Sequence, residues 1–344
     1  MNYRTFGKLN WSVSEIGIGT WAFGGGIWGT QDDNESKLTL HKAIDNGVNF
    51  IDTAAVYGGG RSEKIIGEIL RERTEDIFVA TKVSRKRGSS RPYIGHPNPA
   101  EHYPKEYIIE ACEKSLRRFG RDYIDVYQFH TWAPSFNGSE ELFDAMYQLK
   151  KEGKIRAIGV SVPDNNQDSI IQAIRDGQID SVQILYNIFE QAPQKKLLPV
   201  CQEYNIGVIN RVPLFEGALT GKFTPETRFQ ENDFRRELFG GKKMDKLLKY
   251  IEGVERIKNK YSPELPLSYF AMRFCLSHPA IHTVIAGMRS VEQVKQNVQA
   301  SDSTKCNERE LAELRRFGNV RTKLTGGPFL IRSLKRIAKN LLRR

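Results

Sequence analysis

A carboxylate, a phenol, an ammonium and an imidazole stand at Asp52, Tyr57, Lys82 and His130, a combination suited to moving one proton. A phenol titrates near ~10 in water, and an adjacent ammonium favours its ionised form, so Lys82 beside Tyr57 makes the phenol a better acid near neutrality. A buried Lys82 needs a counter-charge, which Asp52 supplies. His130 can hydrogen-bond a carbonyl oxygen and orient the molecule that carries it. Taken singly, each residue has a structural explanation. Asp52 could accept backbone N–H groups, Tyr57 could be a loop aromatic, Lys82 could snorkel from a strand end, and His130 could be a hydrogen-bonded core histidine. Only their conjunction at neighbouring strand ends points to chemistry.

Those ends are legible in the hydrophobic pattern. After an N-terminal hairpin, strand-like runs fall at 14–20, 48–53, 77–82, 123–130, 155–161, 181–187, 206–210 and 282–287. Helical stripes separate them. Ile108, Ala111, Cys112, Leu116 and Phe119 precede a left-handed stop at Gly120, and Leu142, Phe143, Met146 and Leu149 precede Gly153. Near-continuous apolar strands alternating with amphipathic helices imply parallel strands covered on both faces, and eight such units close a barrel more naturally than they build an open sheet. The predicted fold class is α/β, a (β/α)8 TIM barrel with an N-terminal β-hairpin and extra C-terminal helices. Active sites of such barrels lie at the C-terminal strand ends. There Asp52, Lys82 and His130 close the second, third and fourth strands, and Tyr57 follows the second.

Gly24, Gly26 and Gly29 match the G-x-G-x-x-G of a dinucleotide-binding turn. No helix opens from the last glycine, however, and the next helical pattern begins near Asn34, so a phosphate there lacks a helix N-terminus. The segment reads as a flexible loop. Cys112, Cys201, Cys275 and Cys306 are scattered, as reduced thiols are. Cys275, His278 and His282 offer a single thiolate at a helix end, and no metal is expected. The formal net charge of +11 raises the question of nucleic acid. Arg321, Lys323, Arg332, Lys335, Arg336, Lys339, Arg343 and Arg344, with no acidic residue in 319–344, supply most of it. The remaining body is mildly basic, and no nucleic-acid partner is expected. The opening residues lack a signal-peptide pattern, and no apolar run approaches the ~18–20 residues of a membrane span, so a cytoplasmic location is expected.

The segments FIDTAAVYGGGRSE (50–63), VATK (79–82), DVYQFH (125–130), GVS (159–161), PLFEGALTGKF (213–223) and GMRSVEQVKQN (287–297) occur in order. In these the chain resembles the aldo-keto reductases over roughly residues 1–317, leaving 318–344 as a basic amphipathic extension. The resemblance implies a catalytic tetrad of Asp52, Tyr57, Lys82 and His130. It further implies hydride transfer from C4 of NADPH to an aldehyde or ketone, with the proton from Tyr57. By the same likeness Ser161 and Gln183 hold the nicotinamide carboxamide, and the 213–223 loop, with Pro213, Leu214, Gly217 and Lys222, follows the pyrophosphate. Arg289, assisted by Gln293, pairs with the adenosine 2′-phosphate, and Asn297 contacts adenine. Thr20, Trp21, Asp52 and Gly287 complete the implied cofactor set. A guanidinium can bond phosphate bidentately, which is why Arg289 favours NADP(H). Two positions depart from the commonest pattern. Val162 stands where many members have Asn after Ser161, and Arg211 stands where many stack an aromatic ring on the nicotinamide.

Substrate identity is expected in the loops 83–104 and 223–245 and in the aromatics Trp21, Trp28 and Trp132. Arg85, Lys86, Arg87 and Arg91 would favour an anionic carbonyl substrate, although such a run is more often a solvated face. Past Gly326, Gly327 and Pro328, the residues Leu330, Leu334, Ile337, Ala338 and Leu341 share one helical face within a basic surround. That segment suits an anionic membrane surface or a protein partner as well as its own barrel. Two other functions compete with carbonyl reduction. One is a cofactor-binding regulatory subunit with little turnover; the other uses Lys82 as a Schiff-base nucleophile.

Overall fold

The computed structural model describes residues 1–25, 30–89, 97–231, 233–302 and 304–325. Trp28, Arg91, Gly26, Gly29 and the amphipathic segment 326–344 lie outside the described residues. Two short strands, β1 (Tyr3–Thr5) and β2 (Ser12–Ser14), pair antiparallel as the N-terminal hairpin. Eight further strands follow: β3 (Ile16–Gly19), β4 (Phe50–Asp52), β5 (Phe78–Val83), β6 (Ile124–Phe129), β7 (Ile155–Ser161), β8 (Ser181–Leu185), β9 (Gly207–Arg211) and β10 (Thr283–Gly287). All eight pair in parallel, and β10 bonds to both β9 and β3, closing the barrel. Each lies within or one residue beyond an expected run. The helix Lys105–Phe119 ends at Gly120 in left-handed conformation (φ 65°).

Strand parity decides what each residue faces, because successive side chains point to opposite sides of a sheet. Phe50, Phe78, Ala80, Val126, Ala157, Ile209 and Ile285 form one buried cluster, the barrel interior. The alternate residues, such as Ile51, Val79, Tyr127, Ile158, Val182 and Val208, belong to the cluster packed beneath the helices. At the N-terminal end the interior is plugged by the hairpin turn. Phe6 packs on Phe50 at 5.6 Å, and Trp11 stacks on Phe78 at 5.1 Å. Only the C-terminal end is left open. Counting by twos from the interior cluster brings Asp52, Lys82, His130, Ser161, Gln183, Arg211 and Gly287 to that end.

All four cysteines are free and buried. Cys275 Sγ donates to Tyr186 O, His278 Nδ1 accepts from Ala280 N, and His282 Nδ1 accepts from Val208 N. These three side chains serve packing and turn geometry. Among the described residues no helix is long and apolar enough to cross a membrane.

Candidate active site

Asp52 is the last residue of β4, and the chain then turns through a single 3-10 turn, Tyr57–Gly60, into the helix Arg61–Glu72. Gly58, Gly59 and Gly60 all take positive φ in this turn, and two glycines mark close approaches to it. Gly60 has φ 97°, and a Cβ there would lie 2.4 Å from Arg118 Nε. Arg118 in turn donates to Glu63 Oε2 at 2.6 Å, while Glu63 Oε1 accepts from Thr81 Oγ1 at 2.7 Å, so a fully buried carboxylate ties the turn to β5. The second glycine, Gly24, corrects the expectation of a merely flexible loop. A Cβ on Gly24 would stand 2.4 Å from Gly58 N and 2.6 Å from Tyr57 C, so its absence lets the 3-10 turn Trp21–Gly24 lie directly against the tyrosine turn. Gly24→Ala should therefore displace Tyr57, lowering turnover ~10-fold or more with a smaller loss of thermal stability. Parallel steady-state kinetics and melting curves test this, and unchanged turnover would count against it.

Lys82 Nζ donates to Asp52 Oδ1 at 2.7 Å, to Asp52 Oδ2 at 2.9 Å and to Thr53 O at 2.6 Å, which uses all three N–H groups. The pair is almost wholly buried, and Lys82 stands behind the cleft wall, 5.3 Å from the centre of the Tyr57 ring. A Schiff-base lysine must present a lone pair to its substrate, so this placement disfavours the aldol alternative. Tyr57 and His130 meet edge to face at 6.1 Å on the cleft surface. Burial pushes the Tyr57 phenol well above its usual range; the Asp52 charge adds to this, and Arg211 opposes it. In the free protein burial and the Asp52 charge thus set the direction, which is opposite to the acidification expected from Lys82. Burial, reinforced by Lys82 and Arg211, pushes the His130 imidazole down to about 3 and keeps it neutral. Ser84 Oγ lies 3.1 Å from His130 Nδ1. The residue sits two positions beyond Lys82 on the same strand parity, a signal available in the sequence and overlooked.

A cleft of about 880 Å³ reaches from Asp52, Tyr57 and His130 along Ser161, Gln183 and the 211–217 segment to Arg289, Gln293 and Asn297. It also touches Trp21, Pro213, Leu214, Gly217, Lys222 and Gly287. Thr20 is different. It is fully buried, its hydroxyl donating to Asp52 O and accepting from Ser62 Oγ, because it falls on the outward parity after Gly19. Trp132 is corrected in the same way. It is 0 % exposed among Phe129, Phe136 and Phe143, since the chain leaves the barrel strand at Phe129 and parity no longer governs it. Trp21 stays at the mouth, stacked between Tyr57 and Phe234 at 6.1 and 5.9 Å. Phe223, Phe229, Arg228 and Arg235 line the mouth beside it. Arg85 donates to Ser89 O at 2.6 Å, and among the described residues of that basic run none of Arg85, Lys86 and Arg87 lines the cleft.

The lining fits an elongated, anionic dinucleotide. At the inner end Gln183 Nε2 donates to Asp52 Oδ1 at 2.6 Å, leaving its Oε1 as an acceptor, and its register partner Ser161 lines the cleft with it. Val162 contributes no polar side chain, but its carbonyl accepts from Arg211 at 3.0 Å, and Asp164 Oδ1 accepts from the same nitrogen at 2.5 Å. Arg211 is thus held edge-on by Asp164, a partner not foreseen. At the outer end the helix Val291–Val298 lines the cleft with Gln293, Gln296 and Asn297. Arg289 precedes it, its Nε donating to Gln31 Oε1 at 2.9 Å and its Nη2 to Thr30 O at 2.7 Å. Gln293 Oε1 accepts from Arg289 N.

Between these ends Val212, Phe215 and Glu216 have φ of 57°, 46° and 56°. Left-handed backbone is rare for any non-glycine residue and is an outlier for a β-branched one. Each such residue stores roughly 1–3 kcal/mol of strain and persists only where neighbours enforce it, commonly at ligand clamps.

The sequence model of the aldo/keto reductase family matches residues 15–319. The NADH-specific methylglyoxal reductase of Escherichia coli is 33% identical over 325 residues, covering 89% of this chain and 97% of that protein. Among solved structures, the glycerol dehydrogenase of Gluconobacter oxydans is 28% identical with a TM-score of 0.77, covering 95% of this chain and 97% of that one. An aldo-keto reductase from Klebsiella pneumoniae in complex with NADPH is 26% identical with a TM-score of 0.67, covering 92% and 95%. A closed eight-stranded barrel, a cleft at its C-terminal end and a family match across most of its length agree: the chain belongs to the aldo/keto reductase family of oxidoreductases.

Proposed function

We propose that this protein reduces a small aldehyde or ketone with NADPH, Tyr57 delivering the proton. The observation that carries the reading is the Tyr57 phenol at the cleft wall, backed by the Lys82–Asp52 pair and edge-on to a neutral His130. Reduced nicotinamide, when bound, supplies hydride to the carbonyl carbon. Tyr57 gives its phenolic proton to the carbonyl oxygen, leaving a phenolate that Arg211 favours electrostatically. In the tautomer where Nδ1 accepts from the Ser84 hydroxyl, 3.1 Å away, a neutral His130 carries its proton on Nε2 and can donate it to the same oxygen. Lys82 and Asp52 act through Tyr57 by fixing its ring. Ser161, Gln183, Leu214, Gly217, Lys222, Arg289, Gln293 and Asn297 are the residues that would hold the dinucleotide.

A screen of NADPH oxidation across aldehydes, ketones and sugar-derived carbonyls, beginning with methylglyoxal, tests the reading. Turnover supports it. Tight NADPH binding with no turnover on the whole panel would favour a regulatory cofactor-binding subunit. Arg289 is the reason to expect NADPH over NADH. Arg289→Ala should weaken NADPH binding ~10–100-fold, the effect of losing charge-assisted bonds to a phosphate, with NADH affinity nearly unchanged. Equal losses for both cofactors in fluorescence titrations would remove Arg289 from the phosphate.

A further inference from the structure

We infer that Arg321 is a positioning residue for the cofactor cleft, clamping the strained 212–217 segment from a helix that lies beyond the barrel. The helix Val320–Thr325 begins just past residue 319, where the family match ends. It docks through Val320 N, which donates to Phe189 O at 2.9 Å, and through the buried Val320 and Leu324 side chains. Arg321 then turns into the barrel mouth. Its guanidinium lies 5.2 Å from the centre of the Phe215 ring and 3.5 Å from Glu216 Oε1. It also approaches Glu190 Oε1 at 3.2 Å and Asp164 Oδ2 at 3.9 Å.

Phe215 and Glu216 are two of the three left-handed non-glycine residues of the segment. Asp164 is the carboxylate that fixes Arg211. One side chain, only 16% exposed, therefore touches two of the three strained positions and the counter-ion of the cation beside Tyr57. Strained backbone relaxes when the contacts that enforce it are removed. A relaxed segment would populate the binding-competent shape only part of the time and lower the apparent cofactor affinity by that fraction. The chemical step, once cofactor is bound, uses groups that Arg321 does not touch.

The inference deepens the proposed cofactor site and rests on it, so its test has a readout that needs no cofactor. Amide exchange in the free, full-length Arg321→Gln protein should speed up over 212–217 while the hairpin of β1 and β2 stays unchanged. Fluorescence titration should show a Kd for NADPH about tenfold higher, with turnover at saturating cofactor within about twofold of wild type. Arg321→Lys, which keeps the charge, should recover part of both effects. Exchange and Kd equal to wild type in Arg321→Gln would overturn the inference. Should that variant not fold, Arg321→Met, which keeps an apolar stem over Phe215, takes its place. If neither folds, Arg321 supports the whole fold and the inference falls. A wild-type protein that binds no NADPH would instead sink the proposed function, leaving exchange to judge the clamp.

Discussion

Tyr57→Phe should lower turnover ~10²–10⁴-fold, the usual contribution of a positioned general acid, with little change in NADPH affinity. The substitution removes one oxygen and keeps the ring that stacks on Trp21 and meets His130 edge to face. Loss of turnover with intact binding would thus report on the proton and not on packing. The pH dependence has a definite sign. Because burial and Asp52 push the phenol well above its usual range, Tyr57 stays protonated through neutral pH and beyond. His130, pushed down to about 3, is already neutral at mild acidity. Reduction by the wild-type protein should therefore show no inflection from either group between about pH 5 and 9, and activity should fall only at alkaline pH as the phenol ionises. A Tyr57→Phe protein retaining wild-type turnover at saturating substrate would displace Tyr57 from the role.

The tetrad was legible from strand ends, whereas Ser161, Gln183 and Arg211 came only with the family resemblance; the structure gives all but Tyr57 one physical reason, period-two alternation along the strands. Asp52, Lys82, His130, Ser161, Gln183 and Arg211 occupy the open end because each shares the parity of an interior residue such as Phe50, Ala80, Val126 or Ile209. The same rule, applied strictly, would have excluded Thr20, which follows the inward Gly19, and would have included Ser84. Trp132 eluded it for a different reason, since alternation ends with the strand at Phe129. What lay beyond reach were the partnerships between distant segments. Asp164 meets Arg211 across 47 positions, Arg321 meets Glu216 across 105, and Gln31 meets Arg289 across 258. No local pattern encodes such pairs. An arginine in place of an aromatic ring does signal that a carboxylate must be near, without saying where it comes from. Gly24 teaches a related point, because a glycine demanded by the backbone of another loop looks in sequence like one demanded by flexibility.

Lys82→Met separates folding from chemistry when paired with Asp52→Asn. Removing the lysine alone leaves Asp52, 3% exposed, as a buried carboxylate stripped of the Lys82 counter-charge, with Gln183 Nε2 still donating to it. Breaking a buried ion pair from one side costs about 3–5 kcal/mol. The double variant Asp52→Asn/Lys82→Met carries no buried charge, and replacing both partners of such a pair is often close to neutral. Urea unfolding should accordingly show most of the lost stability restored. Turnover should not return with it: a Met side chain puts no cation 5.3 Å from the Tyr57 ring. A desolvated cation–π contact of ~2 kcal/mol corresponds to a deficit of at least ~10-fold if it persists into the phenolate-like state. Recovery of both stability and wild-type turnover in the double variant would mean that the pair serves the fold alone, and that Tyr57 holds its place without it.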